Sequence, residues 1–265
     1  MNIGLALSGG GALGAAHIGV LSQLENKNIK INSICGASAG AIIGLLYSWE
    51  GLYSINEFFS LVNERNIFGP TNILLSRSPD KLFSQLEDIL REIIHTDSFD
   101  DLNIKYSCVG TDFLTGEADI FVSGDPVQCA LASSAYPGVF PVQLVGDTYY
   151  IDGGVSLNMP VSPLREQGMD FIIASSIYAL SKIDCRKTKG RRLQTVIRAL
   201  EIMEYRINEY ELNQADFVFN PPVDQYNWFN FPMIELIREI GESYASQHID
   251  SLTVLLNESS TNSLA

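Results

Sequence analysis

Hydrophobic residues along this chain fall in two alternating modes: short unbroken runs bounded by glycine, and longer stretches with helical spacing. Ile3 to Leu7 predicts a strand that runs straight into Ser8, Gly9, Gly10, Gly11, Ala12, Leu13 and Gly14. The following AAHIGVLSQLENK carries its apolar positions at helical intervals. Ser33, Ile34 and Cys35 predict the end of a second strand, and Ala39 to Trp49 an apolar helix, with Gly36 to Gly40 as the tight turn between them. Further helices are expected over Ile55 to Glu64 and over Pro79 to His95. The latter has Ser78 as cap, Pro79 at its first position, and a core stripe at Leu82, Leu86, Ile89, Leu90 and Ile93. NIFGPTNILLSRS, between them, reads as a packed loop rather than a substrate-covering flap.

Lys105 to Thr111 and Ala118 to Val122 predict two strands around a turn at Phe113 to Gly116. Asp125 and Pro126 open a small-residue helix that stops at Tyr136, Pro137 and Gly138. Thr148 to Ile151 is a strand ending in Asp152, Gly153 and Gly154, a sequence that by itself favours a type I′ hairpin turn over a catalytic position. Phe171 to Ser176 and Phe217 to Asn220 are strands, separated by a polar loop over Ile177 to Gly190 and a helix over Thr195 to Asn213. The aromatic segment PPVDQYNWFNFP, residues 221–232, is expected to pack beneath a loop, with a lipid-facing or substrate-facing lip as the alternative. The last helix is expected over Ile234 to Asn257 with an interruption near Gly241. Strands alternating with helices indicate an α/β fold with a largely parallel central sheet flanked by helices on both faces. A single domain is expected over residues 1–257, followed by a disordered tail at 258–265.

Composition narrows the function classes. With 46% hydrophobic and 18% charged residues the chain is apolar, yet it holds no uninterrupted run of about 18 apolar residues such as a membrane span requires. MNIGLALSGGG lacks a positive leader region, so export is not expected. A net charge of −14 argues against nucleic acid. The basic group Arg186, Lys187, Lys189, Arg191 and Arg192 reads as a solvated loop rather than a contact with an anionic surface. Cys35, Cys108, Cys129 and Cys185 show no metal spacing and read as reduced thiols, which fits the cytoplasm. No metal or cofactor is expected.

The chemistry concentrates at ICGASAGAIIG. A serine on a strand-turn-helix junction has its hydroxyl pushed out at a helix N-terminus, and only small neighbours leave room for it. Ser38 between Gly36 and Gly40 fits this nucleophile elbow, although GxSxG alone arises by chance in roughly one such chain in ten. The first glycine loop also fits GxGxxG at Gly9, Gly11 and Gly14. A dinucleotide site should next offer an acidic residue at the end of the second strand, and that strand ends instead in Gly36, Ala37 and Ser38. An oxyanion hole from the N–H groups of Gly9, Gly10 and Gly11 is therefore preferred. Of the three histidines, His17 sits in the first helix and His95 at the end of another, so both read as packed or solvent-facing. His248 gives the order Ser38, Asp152, His248 of an α/β-hydrolase triad but lies within a helical stretch. Asp152 remains as a direct base.

Taken together, GGGALG, GASAG, SSAYPGVFPV and IDGGV, over about residues 3 to 176, resemble the patatin-like phospholipase family in its bacterial single-domain form. That resemblance implies a catalytic dyad of Ser38 and Asp152, an oxyanion hole from Gly9, Gly10 and Gly11, and calcium-independent hydrolysis of lipid acyl esters. It also implies motif support from Gly14, Gly36, Gly40, Gly153 and Gly154. The partner is then a lipid or other acyl ester, met in the cytoplasm or by peripheral contact with a membrane. The family usually carries Arg or Lys where this chain has Leu13, which weakens the expected attraction for a phosphate head group. The alternatives are a short-chain carboxylesterase using a Ser38, Asp152 and His248 triad, and a non-enzymatic regulator that keeps the fold.

Overall fold

The computed structural model describes residues 1–68, 79–177 and 192–262. Its centre is β1 (Ile3–Leu7), which pairs in parallel with β2 (Ser33–Gly36) on one side and with β7 (Phe171–Ser175) on the other. β3 (Lys105–Asp112) continues the parallel order beyond β2, and β8 (Phe217–Phe219) does so beyond β7. Antiparallel pairing enters at one edge. There β4 (Ala118–Phe121) and β6 (Thr148–Asp152) both pair with β3, and β5 (Gln143–Val145) pairs with β6. The result is an eight-stranded mixed sheet with a parallel core, in agreement with the α/β reading.

Both faces of the central strands β1, β2 and β7 are buried, which is why those strands are apolar at successive positions rather than at alternate ones. Ile3, Leu5 and Leu7 of β1 enter a large core cluster on one face, while Ala6 joins Cys35, Val109, Ile172 and Ala174 in a smaller cluster on the other. The helices α1 (Ala15–Asn26), α2 (Ala39–Glu50), α3 (Leu52–Glu64), α4 (Pro79–Ile93) and α5 (Pro126–Ser133) contribute to the large cluster. The short α6 (Gly154–Leu157) and α7 (Val161–Glu166) follow β6. α8 (Arg192–Leu212) precedes β8, and α9 (Ile234–Asn262) packs along α1.

Four expectations change. Asp152 to Gly154 forms no hairpin turn, because Gly153 has helical backbone angles and the chain enters α6. α9 passes through Gly241 unbroken, since that glycine serves a helix crossing. A Cβ there would lie 2.2 Å from the Ala16 carbonyl oxygen, and one at Gly19 would lie 2.2 Å from the Glu242 nitrogen. α9 also continues to Asn262, into the stretch expected as tail. Ser260 and Thr261 hydroxyls there donate to carbonyls one turn back, at Leu256 and Asn257. α4 ends at Ile93, short of the exposed His95. Ser78, the centre of the 66–78 loop, Cys185 and most of the basic group at 186–192 lie outside the described residues.

Candidate active site

The carboxyl ends of β1 and β2 open on the same edge of the sheet, the edge where parallel α/β sheets hold their ligands. β2 ends at Gly36, and the chain reverses within Ala37 and Ser38 to start α2. Ser38 has φ 52 and ψ −123, a conformation that L side chains rarely adopt and that is held only when the surroundings demand it. The small neighbours are required by contact. A Cβ on Gly36 would lie 2.3 Å from the Gly40 carbonyl oxygen, and one on Gly40 would lie 2.3 Å from that of Leu7. The C-terminal serines of α5 brace the turn from the side. The Ser38 N–H donates to Ser133 Oγ at 3.0 Å, and the Ser134 hydroxyl donates to the Ser38 carbonyl at 3.1 Å.

β6 runs antiparallel to β3 with Asp152 opposite Gly110, and so delivers Asp152 to the elbow. The Ser38 hydroxyl donates to Asp152 Oδ2 at 2.7 Å, while Oδ1 accepts from the Gly154 N–H at 2.8 Å. The backbone of Asp152 is fixed on both sides: its N–H donates to Ala135 at 3.0 Å, and its carbonyl accepts from the Thr111 hydroxyl at 2.8 Å. Burial pushes its carboxyl up to about 7, against the smaller opposing effect of the Ser38 and Gly154 hydrogen bonds. A carboxylate so placed is a far better match for a serine proton than an exposed one.

The glycine loop leaves β1 and enters a short 3-10 turn at Gly11–Gly14. Gly10 has φ 154 and Gly11 φ 57, so the loop backbone is one that glycine alone adopts readily. Gly9 departs from its expected role: its N–H donates to Asn158, to Oδ1 at 3.0 Å and to the carbonyl at 3.3 Å. The N–H groups of Gly10 and Gly11 have no acceptor among the described residues, and both glycines line the cavity beside Ser38. Gly14 allows the loop to rest on α2, since a Cβ there would meet that of Ala39 at 2.8 Å. Gly153 and Gly154 are close-approach positions too, against the Val109 carbonyl and the Asn158 side chain.

Ser38, Asp152, Gly10 and Gly11 line one cavity of about 360 Å³, within the range of small-molecule sites. Its far walls are apolar, with Ile42, Phe58, Phe59, Phe83, Leu86 and Phe140 prominent. The aromatic segment, expected to be packed, forms part of the lining through Tyr226, Trp228, Phe229 and Phe231. It is tied to the glycine loop, for the Ala12 N–H donates to the Trp228 carbonyl at 3.0 Å. Leu13 is buried in the same wall. Glu201 and Glu204 line the cavity as well, and among the described residues no Lys or Arg does.

The histidines lie elsewhere. His248 Nδ1 is 2.8 Å from the Tyr244 carbonyl of its own helix, its ring stacks on Tyr244, and it does not line the cavity. His17 is fully buried beneath the glycine loop, with Nε2 2.9 Å from the Ser8 carbonyl and Nδ1 2.8 Å from Ser175 Oγ. Cys35, Cys108 and Cys129 are buried free thiols. Among the described residues no group of His, Cys, Asp and Glu could hold a metal ion, and no helix is long and apolar enough to cross a membrane.

The family model described as patatin-like phospholipase matches residues 5–165, a span that holds the glycine loop, the elbow and Asp152. The chain belongs to the patatin-like phospholipase family. An uncharacterized NTE family protein of Mycobacterium tuberculosis is 31% identical over 176 residues, covering 66% of this chain and 49% of that protein. Lysophospholipase NTE1 of Scheffersomyces stipitis is 28% identical over 281 residues, covering 94% of this chain and 18% of that protein. The chain thus spans about half or less of the length of these patatin-like relatives. VipD from Legionella pneumophila shares the fold at a TM-score of 0.52 and 16% identity, over 94% of this chain and 67% of that one.

Two features of this patatin-like site escaped the sequence reading. Asn158 carries no local signal, since a single Asn six residues after Asp152 forms no motif by itself; its contact is with Gly9, 149 residues away. The bracing serines Ser133 and Ser134 read only as small helix residues.

Proposed function

We propose that this protein is a serine lipid acyl hydrolase that works through an acyl-enzyme on Ser38. The observation that carries the proposal is the 2.7 Å contact between Ser38 Oγ and a buried Asp152 at the floor of an apolar cavity. In the first step Asp152 Oδ2 takes the hydroxyl proton as Oγ bonds to the acyl carbonyl carbon. The oxyanion is received by the N–H groups of Gly10 and Gly11, with the positive end of α2 behind them. Collapse of this intermediate breaks the bond to the alcohol, which leaves with the proton that Asp152 had taken. Water then loses a proton to Asp152 as it bonds to the acyl carbon, and collapse of that intermediate breaks the bond to Ser38 Oγ, which takes the proton back from Asp152 as the fatty acid leaves.

Family membership and the lysophospholipase named among the relatives support a lipid as substrate. The aromatic and aliphatic walls suit an acyl chain, which favours this reading over a short-chain carboxylesterase. The absence of cations from the described lining, with Leu13 among its residues, directs binding toward the acyl chain more than toward a phosphate. Such an enzyme meets its substrate at a lipid surface by peripheral contact. The intact pair of Ser38 and Asp152 disfavours a non-enzymatic regulator, and the distance of His248 from the cavity disfavours a triad. A panel of lysophospholipids, diacyl phospholipids and neutral esters, assayed with and without EDTA, tests the proposal. Ser38-dependent release of long-chain fatty acid, unchanged by EDTA, supports it. Turnover that survives Ser38→Ala would falsify it.

A further inference from the structure

Asn158 touches both halves of the catalytic apparatus. It ends α6, six residues after Asp152, and is 2% exposed. Its Oδ1 and its own carbonyl both receive the Gly9 N–H, at 3.0 and 3.3 Å. That pair of acceptors fixes which way the side-chain amide is turned, because the reverse orientation would set two donors face to face. Nδ2 is then left buried without a hydrogen-bond partner among the described residues. An orphaned buried donor of this kind is destabilising, and a residue serving only to fill space would avoid it.

The approach to Gly9 is close. A Cβ on Gly9 would lie 2.3 Å from Asn158 Oδ1 and 2.9 Å from the Ser38 Cβ, so loop, elbow and Asn158 meet at one point. On the other side, a Cβ on Gly154 would lie 2.7 Å from Asn158 Oδ1 and 3.0 Å from Asp152 Oδ1. The amide oxygen and the carboxylate oxygen are therefore near neighbours around a single glycine.

We infer that Asn158 is a positioning residue for the oxyanion loop, holding Gly9 so that the N–H groups of Gly10 and Gly11 stay turned toward Ser38. The inference rests on the hydrolase reading above. It also accounts for amide rather than carboxylate at this position. A carboxylate would accept from Gly9 equally well, but it would set a second negative charge beside Asp152 and make that base harder to ionise. Tyr136, Glu201 and Glu204 line the same cavity as Asp152, so the site already carries acidic groups.

The test is the pH dependence of kcat and KM for a long-chain p-nitrophenyl ester with wild type, Ser38→Ala, Asn158→Ala and Asn158→Asp. Thermal melting of each variant is recorded alongside. Asn158→Ala is expected to lower kcat by about 10- to 100-fold with KM within about 3-fold, because a displaced donor acts on the transition state. The acid limb of its profile stays in place. Asn158→Asp keeps the acceptor for Gly9, so its plateau at high pH recovers to within about 5-fold of wild type, while the acid limb moves up by about one pH unit or more. Should Asn158→Ala fail to fold, the limb shift and plateau of Asn158→Asp carry the test. Wild-type kcat in Asn158→Ala beside an inactive Ser38→Ala overturns this inference alone, as does Asn158→Asp with an unmoved limb. Turnover that persists in Ser38→Ala overturns the hydrolase reading and this inference with it.

Discussion

Ser38 Oγ and Asp152 Oδ2 stand 2.7 Å apart although 114 residues separate them in the chain, and the carboxylate of the pair is buried. Burial raises the Asp152 carboxyl to about 7, and the base must be ionised to take the Ser38 proton. Ester hydrolysis is therefore expected to rise with pH through about 7 and to level off above it. Ser38→Ala and Asp152→Asn should each lower kcat by at least about 10³-fold. A pH–rate profile of kcat/KM checks the first point. An acid limb near 4, where an exposed carboxyl titrates, would show that the base is not a carboxyl raised by burial.

The same burial has a thermodynamic consequence of opposite appearance. A carboxyl whose folded value lies above its unfolded value of about 3.9 favours the folded state at low pH and loses that contribution as pH rises to about 7. Asp152→Asn keeps the hydrogen-bonding shape without the charge. It should be more stable than wild type at pH 8, by up to about 4 kcal/mol, and the difference should vanish near pH 4. Denaturant melts at the two pH values measure it, and equal stability at pH 8 would contradict a buried charge at Asp152.

His17 works against Asp152 over much of the same range. Desolvation lowers its imidazole to about 4, so it is neutral in the fold, donating from Nε2 to the Ser8 carbonyl and accepting from the Ser175 hydroxyl. A depressed histidine contributes stability above about 6.5 that is lost as pH falls to about 4. In an Asp152→Asn background the opposing slope is gone. Stability should then fall by roughly 3 kcal/mol between those pH values, and adding His17→Gln should flatten the fall.

The glycine loop gives a geometric prediction. Gly11 combines φ 57 with a Cβ position 2.7 Å from the Trp228 carbonyl oxygen, so Gly11→Ala must shift either the loop or the aromatic segment. A loss of kcat by about 10- to 100-fold is expected from such a displacement. Gly116 has φ 77 with nothing within 4 Å, and Gly116→Ala is the control for backbone strain alone. It should cost about 1 kcal/mol of stability and leave kcat unchanged. Equal activity of the two variants would remove Gly10 and Gly11 from the proposed oxyanion site.

Local pattern made the frame of this site legible. Gly36, Ser38 and Gly40 announce a tight turn because their sizes and their place between strand and helix are properties of neighbouring residues. What was hidden depends on contacts between distant segments. Asp152, Gly153 and Gly154 have hairpin-turn chemistry, and only the pairing of β6 with β3 decides that the aspartate faces Ser38. Gly9 belongs to the same glycine run as Gly10 and Gly11, yet Asn158 captures its N–H from 149 residues away. The 221–232 segment is apolar whether packed or lining a cavity, and the Ala12 bond to Trp228 puts it over the glycine loop. Gly241 reads as a helix break locally, whereas the crossing with α1 makes it a contact.

Ile42 offers a direct measure of what the cavity holds. It lies one turn into α2, where its N–H donates to the Ser38 carbonyl at 3.2 Å, and its side chain lines the cavity together with Phe59 and Phe83. Under the proposed hydrolase reading, an acyl carbonyl seated at Ser38 and Gly10 would send its first carbons past this position toward the apolar wall. Ile42→Trp adds bulk at that passage and replaces none of Ser38, Asp152, Gly10 and Gly11. Acetyl and butyryl esters need no room beyond it, so their kcat/KM should stay within about 3-fold of wild type, while palmitoyl esters should lose about 10-fold or more. A single methylene in an apolar pocket is worth about 1–3 kcal/mol of discrimination, so a blocked chain of many carbons has ample energy to show the effect. A uniform loss across all chain lengths would mean that the variant disturbs the elbow. Unchanged palmitoyl turnover would place the acyl chain along another wall of the cavity.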